Sequence, residues 1–579
     1  MEKDDTVLTI QCLPDEIISL ILVNNEPHEI INFSLTCKQF YDSVCNNDYL
    51  WKMKYSEKVP RLMLKVIKDH CDSKWRKEFI HLCKVRKKVY SELLSMSPKF
   101  YWRFNTVSLE DVRPFFSIAT ENSLNYYYII YMLQDIIKKG NDYLDNFICS
   151  KPLYTMTVMY YSKIVLRHLI QTYLAIQWVQ LHMKHKLTPE KVITFFLQWI
   201  DPTRIYDLDE IENRIQGLVK KVENILKQQS KNEKTIVGQV YTEKQVLQAI
   251  SQVIYKHERF SVAFNVKTNN LDVARVIKDS HGNIFTFGAI YQAIAERFGI
   301  NCELKVFPNH LFLDWRNNEE PNKPLYTIDL LTGELKPKKQ CPFARTSGFS
   351  DTKYCPDSLL QYIYSSYMKS KAPIKNCQTQ NAIHLLDFLG TCESKHNPYK
   401  NFLFYLVENA NSPAMNTKLN LKYMDESHLQ MILSLSTLNE PPQEVYQNVV
   451  VKEARTADVP IFAVGMTCYH KLYHYMCIIR DWEANGLHLS LRSEEHLQHG
   501  KNQPFYRAIA GDQSERFIAH EHLTLVTSPY RNHLLEDNIA TEFTHFEGFY
   551  YVPNDEKLAE YPNDIVVAEA FKKRCTVTQ

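Results

Sequence analysis

A chain of 579 residues with 45% hydrophobic and 12% aromatic side chains can build a large core and, by length alone, roughly three to five domains. Its net charge of +2 offers no global field to attract nucleic acid or an acidic membrane. No run approaches the ~18 uninterrupted apolar residues of a membrane span, and the opening MEKDDTVLTI lacks the basic region and apolar run of a secretory signal, so the expected setting is the cytoplasm and/or the nucleus.

The first predicted elements are short helices between residues 8 and 58. In Leu-Pro-Asp-Glu-Ile-Ile-Ser-Leu-Ile-Leu, residues 13–22, Pro14 suits a first helical turn and two carboxylates sit at the positive end of the helix dipole. At 3.6 residues per turn, Ile17, Leu20 and Ile21 share one face, while Ile18 and Leu22 lie on a second. Such a helix needs a core on one side and something else on the other. Residues 30–41 and 48–55 supply two more pieces, with Asp48 as the expected N-cap.

A helical stretch without nameable chemistry follows. Leu208, Ile211, Ile215, Leu218, Val222 and Ile225 recur at spacings of three and four, an apolar stripe for packing in a bundle. Residues 227–234 contain no apolar side chain and are expected to be a loop.

Next come Ile284, Phe287, Tyr291, Ile294 and Phe298, which predict a buried amphipathic helix over 284–298 stopped by Gly299. Residues 302–307, 310–315 and 325–329 then read as consecutive strands. A helix backed by a sheet is the frame on which thiol enzymes hold a Cys at the helix start, a His on one strand and an Asp on the next. The helix N-terminus lowers the thiol pKa there. His310 and Asp329 occupy the second and third positions, but the thiol position falls near Ile284 or Phe285, and neither is a nucleophile. Cys302 lies beyond the helix, and Ser280 and Thr286 have no evident activating partner. A vestigial site, an unorthodox nucleophile and a displaced site all remain open, with the vestigial reading favoured.

After a turn-rich boundary at 439–443, residues 461–465, 475–482, 504–510 and 516–519 read as strands, with Gly511-Asp512 as a hairpin turn. Short strands and tight turns suggest a small barrel. From 460 to 526 there are six Lys and Arg against seven Asp and Glu, which argues against a phosphate-binding surface. The aromatics Tyr473, Tyr475, Trp482, Phe505 and Tyr506 read as core or barrel rim, and a rim would be a peptide-binding surface. The fourteen cysteines include no Cys-x-x-Cys pair and read as small buried apolar residues. Cys468, His470, His474 and Cys477 have zinc-ligand types, but their spacing matches no common closed site. Neither metal nor cofactor is expected.

Three resemblances join these segments. The Leu13-Pro14 start, the Ser34-Leu-Thr-Cys-Lys-Gln-Phe40 middle and the Leu50-Trp51 close resemble the F-box. That resemblance implies docking to a Skp-type adaptor of cullin-based ubiquitin ligases through Leu13, Pro14, Ile17, Ile18, Leu50 and Trp51. Phe264-Asn265 with Asn269-Asn270, the Gly282 helix start, Arg297-x-Gly299, Phe307-Pro308-x-His310 and Ile328-Asp329 resemble a transglutaminase-like domain. Val464-Gly465, His470-Lys471, Asp481-Trp482 and Gln503-Pro-Phe-Tyr506 resemble the heat-shock Q, YccV-like domain whose name refers to hemimethylated DNA.

In this order the three resemble the F-box only protein 21 family. The implied fold is multidomain α+β: an F-box over 8–58, a helical linker region over 59–185, a papain/transglutaminase-like domain with flanking helices over 186–438, and a small β-barrel over 455–565. The implied function is that of a non-catalytic substrate receptor in a Skp–cullin–F-box ubiquitin ligase, with protein substrates as partners, no membrane, and nucleic acid not expected. The rival readings are an active thiol-type hydrolase or acyl transferase and a DNA-binding chromatin-associated protein.

Overall fold

The computed structural model describes residues 10–60, 63–64, 74–101, 107, 111–122, 124–145, 154–184, 186–204, 206, 208–232, 241–307, 310–317, 324–338, 356–370, 385, 451–452, 462–486 and 497–577. The expected boundary at 439–443 lies outside the described residues. The chain divides into two compact units, Met1–Leu169 with Leu421–Gln579, and Ile170–Asn420.

The first unit opens with four short helices, α1 (Asp15–Leu22), α2 (Pro27–Ser34), α3 (Lys38–Cys45) and α4 (Asp48–Lys58). The expected cap Asp48 is instead the first helical residue. Asn47 caps α4, its side chain accepting from the Leu50 amide at 2.9 Å, because the cap must precede the helical φ/ψ. Pro14 stands one residue before α1. Next follow α5 (Trp75–Phe100), α6 (Arg113–Thr120), α7 (Asn125–Asp145) and α8 (Met156–Met183), whose residues from Ile170 on are assigned to the second unit. Trp51 and Tyr55 anchor α4 to α5, with ring centroids 5.5 Å from Phe79 and 5.6 Å from Trp75. The Tyr55 hydroxyl donates to Tyr128 of α7 at 2.8 Å.

The second unit is built from α9 (Pro189–Ile200), α10 (Leu208–Asn232), α11 (Glu243–Ser251), a parallel pair β1 (Ser261–Val262) and β2 (His281–Gly282), α12 (Thr268–Leu271), α13 (Val273–Asp279) and α14 (Ile284–Arg297). A meander of β3 (Cys302–Phe307), β4 (His310–Arg316), β5 (Leu325–Asp329) and β6 (Leu335–Pro337) follows, and then α15 (Pro356–Ser370). Helix α10 carries the expected stripe but runs on through Asn232, so 227–232 is not a loop. Lys and Gln are good helix formers, and a polar stretch needs no buried face to remain helical. Residues 233–234 lie outside the described residues. Helix α14 packs on β3 and β4. A Cβ at Gly288 would lie 2.8 Å from Leu304 and 3.1 Å from Leu330, so glycine permits that approach. Gly299, at φ +76°, ends the helix as expected.

The first unit resumes with a five-stranded antiparallel sheet of β7 (Thr467–His470), β8 (Tyr475–Glu483), β9 (Phe505–Ala510), β10 (Glu515–Ala519) and β11 (Leu523–Leu525), in the order β10-β9-β8-β7-β11. No pairing of β10 with β11 closes it into a barrel among the described residues. The strand expected over 461–465 is a turn from 462 onward. Gly465 sits at φ +88°, and a Cβ there would meet the Tyr551 carbonyl oxygen at 2.1 Å, so the strand begins only at Thr467. Residue 461 lies outside the described residues. The Gly511-Asp512 hairpin turn is present between β9 and β10. A second hairpin, β12 (Phe543–Phe546) with β13 (Tyr551–Pro553), follows α16 (Glu536–Ile539) and precedes α17 (Asp555–Glu560) and α18 (Asp564–Val577).

The core of this sheet is not built from the C-terminal residues alone. Met156 of α8 is buried within it and Tyr160 packs against it. Thr157 Oγ1 donates to the Phe543 carbonyl at 3.2 Å, and Ser97 Oγ of α5 donates to Glu556 at 2.7 Å. The F-box-like helices, the helices after them and the C-terminal sheet therefore share one packed unit.

Candidate functional site

Three places carry the residues singled out by sequence. In α1 the two faces separate as expected. Ile18 and Leu22 are buried, whereas Ile17, Leu20 and Ile21 are 42%, 58% and 47% exposed. Ile31 of α2 and Leu35, its C-cap, join the exposed set. Among the described residues, eight of the twenty exposed large apolar side chains fall between residues 10 and 49, a density that an isolated surface does not explain. Leu13 is half-buried and Pro14 exposed. Leu50 and Trp51 are buried, with Trp51 Nε1 donating to the Val44 carbonyl at 2.8 Å. These two, like Ile18, are buried and so present almost no surface to a partner, and the Trp51 ring packs on Phe79 of α5. Sequence reasoning did not single out Leu20, Ile21, Ile31 and Leu35 as site residues, although the helical period already put Leu20 and Ile21 on the outer face. Beside this face, a cleft of about 840 Å³ between α1, α3 and the start of α4 is rimmed by Asp15, Glu16, Asp42 and Asp48.

The second place is the start of α14. Asn283 caps the helix, accepting from the Phe285 amide at 3.2 Å while its Nδ2 donates to the Ala263 carbonyl at 3.1 Å. Phe285, at the second helical position, is buried with its ring edge-on to Tyr362 of α15 at 5.5 Å. Ile284 is half-buried. The Thr286 hydroxyl is buried and donates to the carbonyls of Asn270 and Leu271, both at 3.2 Å. Cys302 is buried on β3, and burial pushes its thiol well above the usual range, with Glu243 and Glu296 adding to the rise. A protonated thiol is a poor nucleophile. Ser280 ends α13 in the left-handed conformation at φ +50°. Asp329 is half-buried, and its Oδ1 accepts from the Leu331 amide at 2.9 Å. His310 opens β4, and since Phe312 pairs with Asp329, the strand positions of His310 and Asp329 lie on one face of the sheet. The His310 side chain, like residues 308–309, lies outside the described residues.

The third place is the C-terminal sheet. Trp482, Phe505 and Tyr506 are buried, so no exposed rim includes them. Trp482 Nε1 donates to Asp564 Oδ2 of α18 at 3.0 Å, and the Tyr506 hydroxyl meets His520 at 3.1 Å. The C-terminal helices cover a face that strand alternation alone would leave open. Tyr475 is half-buried beneath Arg516, whose guanidinium lies 4.4 Å from its ring centre, and Tyr473 is 64% exposed. Cys468 and Cys477 face each other across β7 and β8 as buried thiols. Among the described residues no group of three or more His, Cys, Asp or Glu side chains converges as a metal site, and no helix is long and apolar enough to cross a membrane.

Comparison with known proteins places names on these segments. Residues 10–57 match the family described as F-box-like, 209–359 the Transglutaminase-like superfamily, and 460–549 the family described as Hemimethylated DNA-binding protein YccV like. F-box only protein 21 of Mus musculus is 21% identical over 617 residues, covering 96% of this chain and 92% of that protein. The proteins of the same name from Pongo abelii and Homo sapiens are each 22% identical, over 416 and 422 residues, and each match covers 64% of both chains. No solved structure matches the chain. The chain thus carries F-box-like, transglutaminase-like and YccV-like domains in that order, and its resemblance to the F-box only protein 21 family extends over nearly its whole length.

Proposed function

We propose that this chain is the substrate-recognition subunit of a Skp–cullin–F-box ubiquitin ligase, working in the cytoplasm or nucleus. The observation that carries the reading is the exposed apolar face of α1, Ile17, Leu20 and Ile21, on a helix whose opposite face is already packed. An apolar stripe left in water on a folded helix is an interface awaiting its partner, and an F-box-like domain names that partner as a Skp-type adaptor.

The transglutaminase-like domain serves recognition and not catalysis. In support, an aromatic ring fills the helix start where a nucleophile would stand, and the nearest hydroxyl, on Thr286, is tied to two carbonyls. Ubiquitin transfer then belongs to the partner enzymes, and the YccV-like domain contacts protein substrates. The decisive experiment is capture of a purified Skp-type adaptor by the full chain and by an Ile17→Asp, Leu20→Asp double variant. Equal capture by both would remove the assignment.

A further inference from the structure

With Trp482, Phe505 and Tyr506 in the core, the exposed aromatic surface on the face of the C-terminal sheet that carries His470 and Tyr475 is, among the described residues, the corner where β7 turns into β8. Leu472 and Tyr473 stand 50% and 64% exposed on that turn. Turns favour Gly, Asn, Asp and Ser for backbone reasons that Leu and Tyr do not share, so the fold does not require this pair. The turn is nevertheless held firmly. Buried His470 accepts from the amides of Leu472 and Tyr473 at 3.2 and 3.1 Å through Nδ1, and the His474 amide donates to the His470 carbonyl at 2.9 Å. The His470 ring packs 5.0 Å from Tyr473, 4.8 Å from Tyr475 and 5.6 Å from His522. An apolar pair on a rigid support loses little conformational freedom on binding, which is what makes such residues effective anchors.

The charges around the pair have one sign to spare. Lys471 Nζ reaches the Glu521 backbone carbonyl at 2.9 Å and makes no ion pair with a carboxylate among the described residues. The two nearby acids are already engaged. Asp512 accepts from the Ser514 amide and hydroxyl and pairs with Arg516 at 2.5 Å. Glu521, its side chain 10% exposed, accepts from the amides of Gln498 and His499 at 3.0 Å and from His499 Nδ1 at 2.7 Å. Among the described residues, what faces solvent here is an apolar pair beside an ammonium that no carboxylate compensates.

We propose that the corner formed by Lys471, Leu472, Tyr473, Tyr475, Arg516 and His522 docks an acidic peptide segment that carries a bulky apolar residue. The apolar side chain covers Leu472 and Tyr473, and a neighbouring carboxylate meets Lys471. Duplex DNA fits less well, because phosphate binding draws on a row of cations, and Arg516 is already neutralised by Asp512. That the peptide belongs to a substrate protein rests on the receptor reading above.

The test uses the full chain and fluorescence anisotropy of a short labelled peptide in which glutamates alternate with leucine and tyrosine. Its lysine-for-glutamate counterpart and a labelled DNA duplex serve as comparisons. The acidic peptide is expected to bind, more weakly as salt rises, and to bind at least about tenfold more weakly to Tyr473→Ser and to Lys471→Glu. Phe517→Ser, which alters an exposed side chain on the opposite face of the same sheet, leaves binding unchanged. Absence of acidic-peptide binding, equal binding by the variants, equal binding of the lysine peptide, DNA binding lost in the same variants, or self-association lost in Tyr473→Ser would each overturn the proposal. Both substituted side chains are exposed, and a thermal melt checks that each variant is folded. Adaptor capture on the same preparations separates the two claims: adaptor retained with the peptide test failing removes this inference alone, whereas adaptor lost from the unaltered chain removes the receptor reading.

Discussion

Tyr101, just past the end of α5, donates its hydroxyl proton to Glu560 Oε2 in α17 at 2.6 Å, across 459 residues of chain. Burial first, and then Glu560, push the Tyr101 phenol far above its ordinary range, so it stays a donor at any physiological pH. Glu560 also pairs with Lys557 at 3.1 Å. Tyr101→Phe is therefore expected to cost about 1 kcal/mol, because the acceptor keeps one partner. Denaturant unfolding of the full chain measures it.

A C-terminal piece spanning 442–579 would lack Met156 and Tyr160, which complete its core, and the contacts from Ser97 and Thr157. It is expected to melt well below the full chain and to regain stability when residues 74–184 are supplied in the same polypeptide. Equal melting of the short and long pieces would show that α8 adds nothing to this core.

Trp51→Ala is expected to destabilise the chain by about 3–5 kcal/mol, as large-to-small changes at buried aromatic positions do. Its ring packs on Phe79 and its indole N–H satisfies the Val44 carbonyl. Loss of adaptor capture in this variant should track unfolding seen by circular dichroism. The exposed pair Ile17 and Leu20, by contrast, should lose capture without any change in melting.

Stability should fall with pH in two stages. Burial, followed by the nearby His522 and Arg516 charges, pulls the His470 pKa down from 6.5 to about 4, with His474 a smaller contributor. The unfolded chain then binds a proton that the native chain refuses. The His470 contribution is complete above pH 6.5 and drains away as pH falls toward about 4. Below the ordinary carboxylate range a second loss follows. Burial raises the Glu542 carboxyl, but Lys557 and Arg480 more than offset it and hold its pKa low. Its stabilisation is present above the unfolded carboxylate pKa and disappears as the folded group protonates. Arg480→Met, which leaves Glu542 short of the guanidinium 2.7 Å away, is expected to cost about 3 kcal/mol or more at neutral pH. Urea midpoints across pH check both stages.

Cys302 is expected to resist alkylation by iodoacetamide in the native chain and to react once the chain is unfolded, since burial keeps its thiol protonated. Mass spectrometry of the labelled peptides reads this directly. Rapid native labelling at Cys302, or covalent capture at Ser280 or Thr286 by a hydroxyl-directed electrophile, would overturn the non-catalytic role proposed for the transglutaminase-like domain.

The sequence by itself fixed the angular sorting of α1, because 3.6 residues per turn separates Ile17, Leu20 and Ile21 from Ile18 and Leu22 whatever surrounds the helix. It also determined α14 and its end at Gly299, where only a residue tolerant of φ +76° closes the helix without strain. It did not determine where α10 stops, since a polar stretch is compatible with either an exposed helix or a loop. Nor did it determine which aromatics of the C-terminal sheet see water. A strand has two faces, and its own residues do not say what later covers them. In β8 the register also shifts between Ile479 and Asp481, which breaks the simple alternation on which a face assignment depends. Asp564 and Tyr561, some eighty residues beyond Trp482, close over its indole, and Met156 enters the same core from three hundred residues upstream. Tertiary packing alone made Trp482 core and left Tyr473 in solvent, because burial is a property of what arrives from elsewhere in the chain.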